Sequence, residues 1–252
     1  MYVLKQILLK NKNILFHLFL IFLFSTYSLA IKVTIATGIN SDLPYVYGDE
    51  KISKRYPGIT IEILQLIEKS SNIKFIIHKL PWKRVLHEVK NNSLDGGFHF
   101  SFKEKRKSFV VYPISKNDLL PNPKYSISNR SYVLYKLKES PLDWDGEKFI
   151  NLKGKISTQK GYSIVNFLKD KGVDVIENRS NTDIEKLLQK RVEGVARHDT
   201  TFNNYFRLNP KIAKKIVKLP IPLVQKSYYL LTSNKFYTNH SILVNKIWEE
   251  LK

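Results

Sequence analysis

The 252-residue chain contains no cysteine. Disulfides, thiolate metal sites, cysteine nucleophiles and a lipid-modified N-terminal cysteine are therefore excluded, and an apolar core has to hold the fold. Acidic residues are also scarce, with 22 Asp and Glu against 42 Lys and Arg for a formal charge of +20. Such a balance raises the question of nucleic acid. The lysines are scattered, however, and form no stripe interleaved with aromatics, so no nucleic-acid partner is expected. Long apolar runs are missing too: the longest, Ile14 to Phe24, is broken by His17 and falls well short of the roughly 20 residues that span a bilayer. No nucleophile elbow or phosphate loop occurs, and His78, His87, His99, His198 and His240 lack ligand spacing, so catalytic residues, metal sites and cofactors are not expected.

What the N-terminus does carry is a positive start at Lys5, Lys10 and Lys12, the short apolar run, and Ser28-Leu29-Ala30. That order reads as a secretory signal peptide, residues 1–30, cleaved after Ala30, and not as a membrane anchor. The mature product is expected to be exported, periplasmic, soluble and monomeric. Its core-forming length suits two lobes.

Pro81 to Arg106 organises the rest. Trp82, Val85, Leu86 and Val89 fall at i, i+3, i+4 and i+7, which predicts a short helix with Pro81 at its first position. Leu94 to Phe100 predicts a strand in which Gly96 and Gly97 let another backbone come close. Ser101 and Glu104 have capping-box spacing for a new helix, and Arg106 would lie in its first turns, where guanidinium and free amides together suit a carboxylate. The plainer reading is a surface arginine on a charged helix.

Around this stretch, Ile31–Thr37 alternates as a strand, Gly38–Gly48 is an aromatic-rich loop, Ile59, Ile63, Leu64 and Ile67 mark a helix, and Ile73–His78 is another strand. Strand, helix, strand, helix, strand implies a parallel sheet, with ligands at the carboxyl ends of its strands. From 128 onward the order repeats: strands at 155–158, 173–177 and 192–197, helices at 162–171 and after Thr182. Leu94-Asp95-Gly96 is echoed by Val192-Glu193-Gly194. Asp199 is placed to cap a helix through Phe206, and Thr238–Lys252 predicts a last helix with Ile242, Leu243, Ile247, Trp248 and Leu251 inward. The expected class is α/β with two lobes, each a mostly parallel sheet flanked by helices: 31–127 and 232–252 form the first, 128–231 the second. Two crossings make a hinge.

Pro44-Tyr45, Pro57-Gly58, Trp82, Leu94-Asp95-Gly96 and Lys105-Arg106, followed by Lys160-Gly161-Tyr162-Ser163 and Arg191-Val-Glu-Gly194, give the chain its likeness to a known family. In order and spacing it resembles the family-3 extracellular solute-binding proteins, the periplasmic amino-acid receptors of ABC importers. The resemblance implies the type II periplasmic-binding fold, a carboxylate-bearing ligand, an amino acid in most relatives, and an ABC permease as partner. It also implies that Trp82 stacks on the ligand while Ser101 and Arg106 hold its α-carboxylate and Ser163 approaches from the second lobe. The family's acidic residue for the α-amino group falls here at His198 or Asp199, and Asp42 stands where a second stacking aromatic is frequent.

Other assignments stay open at this level. Trp82 is equally a core aromatic, Tyr45 suits a loop cover, Asp199 suits a helix cap, and His99 is the histidine nearest the expected rim. A few relatives are periplasmic dehydratases acting on cyclic carboxylic acids, for which Asp42, His99 or Glu62 would be the general acid. A solute sensor is the third reading.

Overall fold

The computed structural model describes residues 30–114, 118–178 and 182–252. The expected signal peptide therefore lies, except for Ala30, outside the described residues.

The first lobe is built on β1 (Ile31–Gly38), α1 (Ile59–Ser71), β2 (Ile73–Leu80), α2 (Trp82–Lys90) and β3 (Gly96–Ser101). Ile61, Leu64 and Ile67 bury one stripe of α1. Ile59, expected on that stripe, is 48% exposed, and Thr60 takes the buried place beside it. Asn72, in left-handed backbone (φ 48°), closes the helix. In α2, Val85 and Val89 are buried, with Trp82 and Leu86 packed at the edge of the same core; Pro81 sits at the N-cap, one place before the expected position.

β3 lies between β1, its parallel partner, and the antiparallel strand β12 (Val224–Ser233). The glycines explain how it fits. A Cβ on Gly97 would lie 2.6 Å from the Ala36 carbonyl oxygen, and one on Gly96 would press into the Leu231 carbonyl. Side chains at either position would force the sheet apart. After the two-residue strand β4 (Val110–Val111), β5 (Ser128–Leu137) crosses to the second lobe.

There a hairpin, β6 (Asp143–Trp144) and β7 (Phe149–Ile150), precedes β8 (Ile156–Gln159), α3 (Ile164–Asp170), β9 (Val175–Asn178), α4 (Asp183–Leu188) and β10 (Gly194–His198). The stretch Pro141–Asn151, which reads as a polar excursion, instead buries Leu142 and Trp144 in the core. The short helices α5 (Asn203–Leu208) and α6 (Pro210–Ala213) and strand β11 (Ile216–Lys218) complete the lobe. α5 starts after Phe202, so Asp199 does not cap it.

The two lobes repeat one plan. The sheet runs β2-β1-β3-β12-β5-β10-β8-β9, so each half has the same strand order, read outward from the central antiparallel pair β12 and β5. The short sequence echo has a structural counterpart. Asp95 accepts the Thr34 amide at 2.7 Å and Glu193 accepts the Lys153 amide at 2.8 Å, while Gly96 pairs with Ile35 and Gly194 with Ile156. Both acids tie the third strand of a lobe to the segment around its first.

The crossings are adjacent: Val224–Tyr228 pair with Tyr132–Ser128, and Tyr228–Thr232 continue onto Ser101–Gly96. Ile127 and Tyr229 belong to the first core, Tyr132 and Tyr228 to the second. The final helix α7 (Asn234–Glu249) starts four residues earlier than expected, because the Ser233 hydroxyl caps it through the Phe236 amide at 3.1 Å. A break at His240 (φ −137°) interrupts its register. Val244, Ile247 and Trp248 stay buried, whereas Ile242, expected inward, is 88% exposed.

Candidate functional site

The carboxyl ends of β1, β3, β8 and β10 face one cavity of about 860 Å³ between the lobes, where ligand sites of parallel sheets belong. Trp82, His99, Ser101, Arg106, Ser163 and His198 all line it. Tyr45 and Asp199 do not. Tyr45 lies behind the wall, its ring 4.1 Å from the Arg130 guanidinium carbon. Asp199 follows the last residue of β10, where its amide donates to the Ser131 carbonyl and its carbonyl accepts the Tyr135 hydroxyl at 2.9 Å; that anchoring leaves it off the cavity wall.

Arg106 is 4% exposed, not a rim residue. The Ser101/Glu104 capping box is absent because Ser101 ends β3 and a single 3-10 turn, Glu104–Ser108, follows with Lys103 at its N-cap. That tight turn brings Arg106 back over the strand end. Its Nη1 donates to the Ser101 carbonyl at 2.7 Å, and its Nη2 to the Gly161 carbonyl of the other lobe at 3.4 Å. The guanidinium lies 5.7 Å from the ring centres of both Trp82 and Phe100. Beside it the Ser101 hydroxyl donates to Ser163 Oγ at 2.9 Å, a second bond across the cleft.

A second buried arginine escapes the sequence reading. Arg130, on the crossing strand β5, ion-pairs through Nη1 with Asp42 and donates from Nε to Ser128 Oγ at 3.2 Å. Its Nη2 is buried with no hydrogen-bond partner among the described residues. The signal available was period two: Ser128, Arg130 and Tyr132 alternate with less buried residues along β5. Burial raises the pKa of Asp42, but the Arg130 guanidinium and His99 more than reverse this and hold the carboxyl well below its usual range. An ionised, paired Asp42 is unsuited to the general-acid role, and Glu62 is not on the cavity wall.

His99, inside β3 where the pairing with β12 shifts register, occupies left-handed backbone (φ 67°), a conformation that costs free energy in a non-glycine residue. Its Nε2 lies 3.0 Å from Thr60 Oγ1 and its Nδ1 3.4 Å from Asp42 Oδ2. Burial, reinforced by Arg130, pushes its pKa down to about 4. His198 shares a 2.7 Å hydrogen bond with the Tyr228 hydroxyl and packs 4.3 Å from the Tyr132 ring; burial, again with Arg130 next, lowers it to about 3. Both imidazoles are neutral near pH 7. Arg197, also on the wall, donates to Gln159 Oε1 at 2.6 Å and lies 3.5 Å from the buried Asp183. Six Lys and Arg but only two carboxylates, Asp42 and Asp49, line the cavity. Among the described residues no three His, Asp or Glu cluster as metal ligands, and no helix is long and apolar enough to cross a membrane.

No protein-family model and no curated sequence matches the chain. Solved structures do. A histidine kinase sensor domain with similarity to periplasmic binding proteins superposes with a TM-score of 0.67 at 13% identity, over 87% of this chain and 88% of that one. The arginine-, lysine-, histidine-binding protein ArtJ from Geobacillus stearothermophilus gives 0.64 at 18%, covering 87% of each chain. The substrate-binding protein of an amino acid ABC transporter gives 0.63 at 17%, over 87% and 91%. Strand order, paired crossings and these superpositions agree: the chain has the two-lobed type II fold of periplasmic solute-binding proteins.

Proposed function

We propose that the protein is an exported receptor that captures a small carboxylate-bearing solute by closing its two lobes, and that it presents this solute to an ABC importer in the periplasm. The observation that carries the reading is Arg106. A buried guanidinium from one lobe, bonded to the Gly161 carbonyl of the other, sits beside the Ser101–Ser163 bond on the wall of a ligand-sized cavity. Arginine in a closed cleft is suited to bidentate capture of a carboxylate. Trp82, against Phe100 at 4.9 Å, supplies an apolar surface at the same end. A sensor would use the same capture step, and the likeness to a histidine kinase sensor domain supports that variant of the reading. The dehydratase variant has less support, given the ion-paired Asp42. The resemblance implies an amino acid, and the amine is the part of that ligand on which the charge of the cleft bears.

A carboxylate that binds the closed form at a hundredfold excess over Kd is expected to stabilise the fold by about 2.7 kcal/mol, raising the melting temperature by roughly 5–10 °C for a chain of this size. Small-angle scattering should show contraction. A ligand whose binding is confirmed by calorimetry but which leaves both quantities unchanged contradicts capture by closure. Intact mass of the secreted product starting at Ile31 checks the export step; a retained N-terminus refutes it.

A further inference from the structure

We infer that the captured solute is a dipeptide, with its C-terminal carboxylate on Arg106 and its N-terminal ammonium on Asp42. This rests on the reading of the cleft as a carboxylate-capture site and adds where the solute carries its positive charge. An ammonium bound inside a closed cleft needs a carboxylate or several carbonyls to replace its hydration. Beside Arg106 the wall offers no carboxylate, and the Ser101 and Gly161 carbonyls are taken by Arg106 itself. The Ser101 and Ser163 hydroxyls are bonded to each other, and His198 is uncharged with its Nε2 engaged by the Tyr228 hydroxyl. A free amino acid would bring its α-ammonium to this point, on the carbon that bears the carboxylate. A peptide brings a neutral amide N–H there and carries its ammonium one residue further away.

The carboxylate that the cavity does offer is Asp42. It is held ionised, and its side chain is 29% accessible. Both of its contacts, with Arg130 and His99, fall on Oδ2, which leaves Oδ1 to the cavity that the residue lines. The other carboxylate on the wall, Asp49, is exposed and holds the Ser41 amide. Asp42 meets β3 at His99, and Arg106 meets it at Ser101, two residues further on. Two strand residues cover about 6.5–7 Å, which is also about the reach of two residues of extended peptide. The space fits as well: about 860 Å³ lies near the upper end of the roughly 300–1,000 Å³ of pockets that enclose drug-sized ligands. Two side chains fill it where a single amino acid would leave most of it to water.

Calorimetric titration tests this with the dipeptides Ala-Ala, Ala-Leu and Ala-Phe, their N-acetylated forms, free alanine, leucine and phenylalanine, and L-lysine. The best dipeptide is expected to bind at least tenfold more tightly than its N-acetylated form and than every free amino acid. Asp42→Asn should weaken that dipeptide more than tenfold and its N-acetylated form less than twofold. Because the variant leaves Arg130 without its ion pair, N-acetylation of the ligand, measured on the wild-type protein, provides a second route to the same loss with the fold undisturbed. A free amino acid that binds as tightly as the dipeptide overturns the inference and leaves carboxylate capture standing; if lysine alone does so, its side-chain ammonium takes the place on Asp42. An N-acetylated dipeptide that binds as tightly as the free one overturns the inference as well. If no carboxylate of any class binds, capture falls with it.

Discussion

Arg106→Ala is expected to lower affinity for the best carboxylate by more than tenfold, and also to lower the melting temperature. Truncating one side of a buried charged pair typically costs about 2–5 kcal/mol, and 1.4 kcal/mol is already tenfold. The stability loss comes from where the residue sits. Arg106 is 4% exposed and its guanidinium donates to the Ser101 and Gly161 carbonyls, and hydrogen bonds to charged groups contribute about 1.5–3 kcal/mol each. Arg106→Lys should recover part of both effects, because one ammonium cannot reproduce the planar fork. Lys105→Ala, at an exposed position on the same turn, serves as control. Titration and melting curves of the three variants decide it: Arg106→Ala binding as well as Lys105→Ala places the carboxylate elsewhere.

Acid should destabilise the fold well before its carboxylates titrate. His99 and His198 have folded pKa values of about 4 and about 3, against an ordinary value of about 6.5 when unfolded. Between those values the unfolded chain binds protons that the folded chain does not, so stability is full above about pH 6.5 and falls as pH drops through 4. Each histidine contributes at most about 1.4 kcal/mol per pH unit. Together they approach about 2.7 kcal/mol per unit around pH 5, or more than about 10 °C of melting temperature over two units. Below about pH 4 the depressed Asp42 adds loss of the same sign. Melting curves from pH 7.5 to 4.5 measure the slope, and His99→Gln with His198→Gln should flatten it. A wild-type melting temperature constant across that range refutes neutral burial of the two rings.

The architecture was legible because it rests on short periodic segments. Val85 and Val89 mark α2, and Gly96 and Gly97 announce the close approach of β1 and β12. Even the Asp95 and Glu193 echo corresponds to matching bonds in the two lobes. Where tertiary packing overrides local pattern, the sequence misleads. Trp144 lies in a polar stretch but is held in the core by Phe149 and Phe167, and Ile242 loses its buried face to the break at His240. The capping reading of Ser101 fails because the same hydroxyl has a partner 62 residues away, in Ser163. The carboxyl-edge rule brought Trp82, His99, Ser101 and Arg106 onto one wall. Arg130 was missed because its role depends on Asp42, 88 residues distant, a pairing that no local spacing encodes.

A solute is expected to enter and leave the cavity only when the lobes part. Since the chain has no native cysteine and the Ser101 and Ser163 hydroxyl oxygens lie 2.9 Å apart across the cleft, Ser101→Cys/Ser163→Cys can lock the lobes together. Stopped-flow binding of the tightest carboxylate to the oxidised pair, with the crosslink verified by mass and the reduced pair as reference, is the direct measurement. Association is expected to be abolished on oxidation, solute loaded beforehand to be retained, and exchange to return on adding reductant. Unchanged association in the oxidised pair would contradict capture between the lobes.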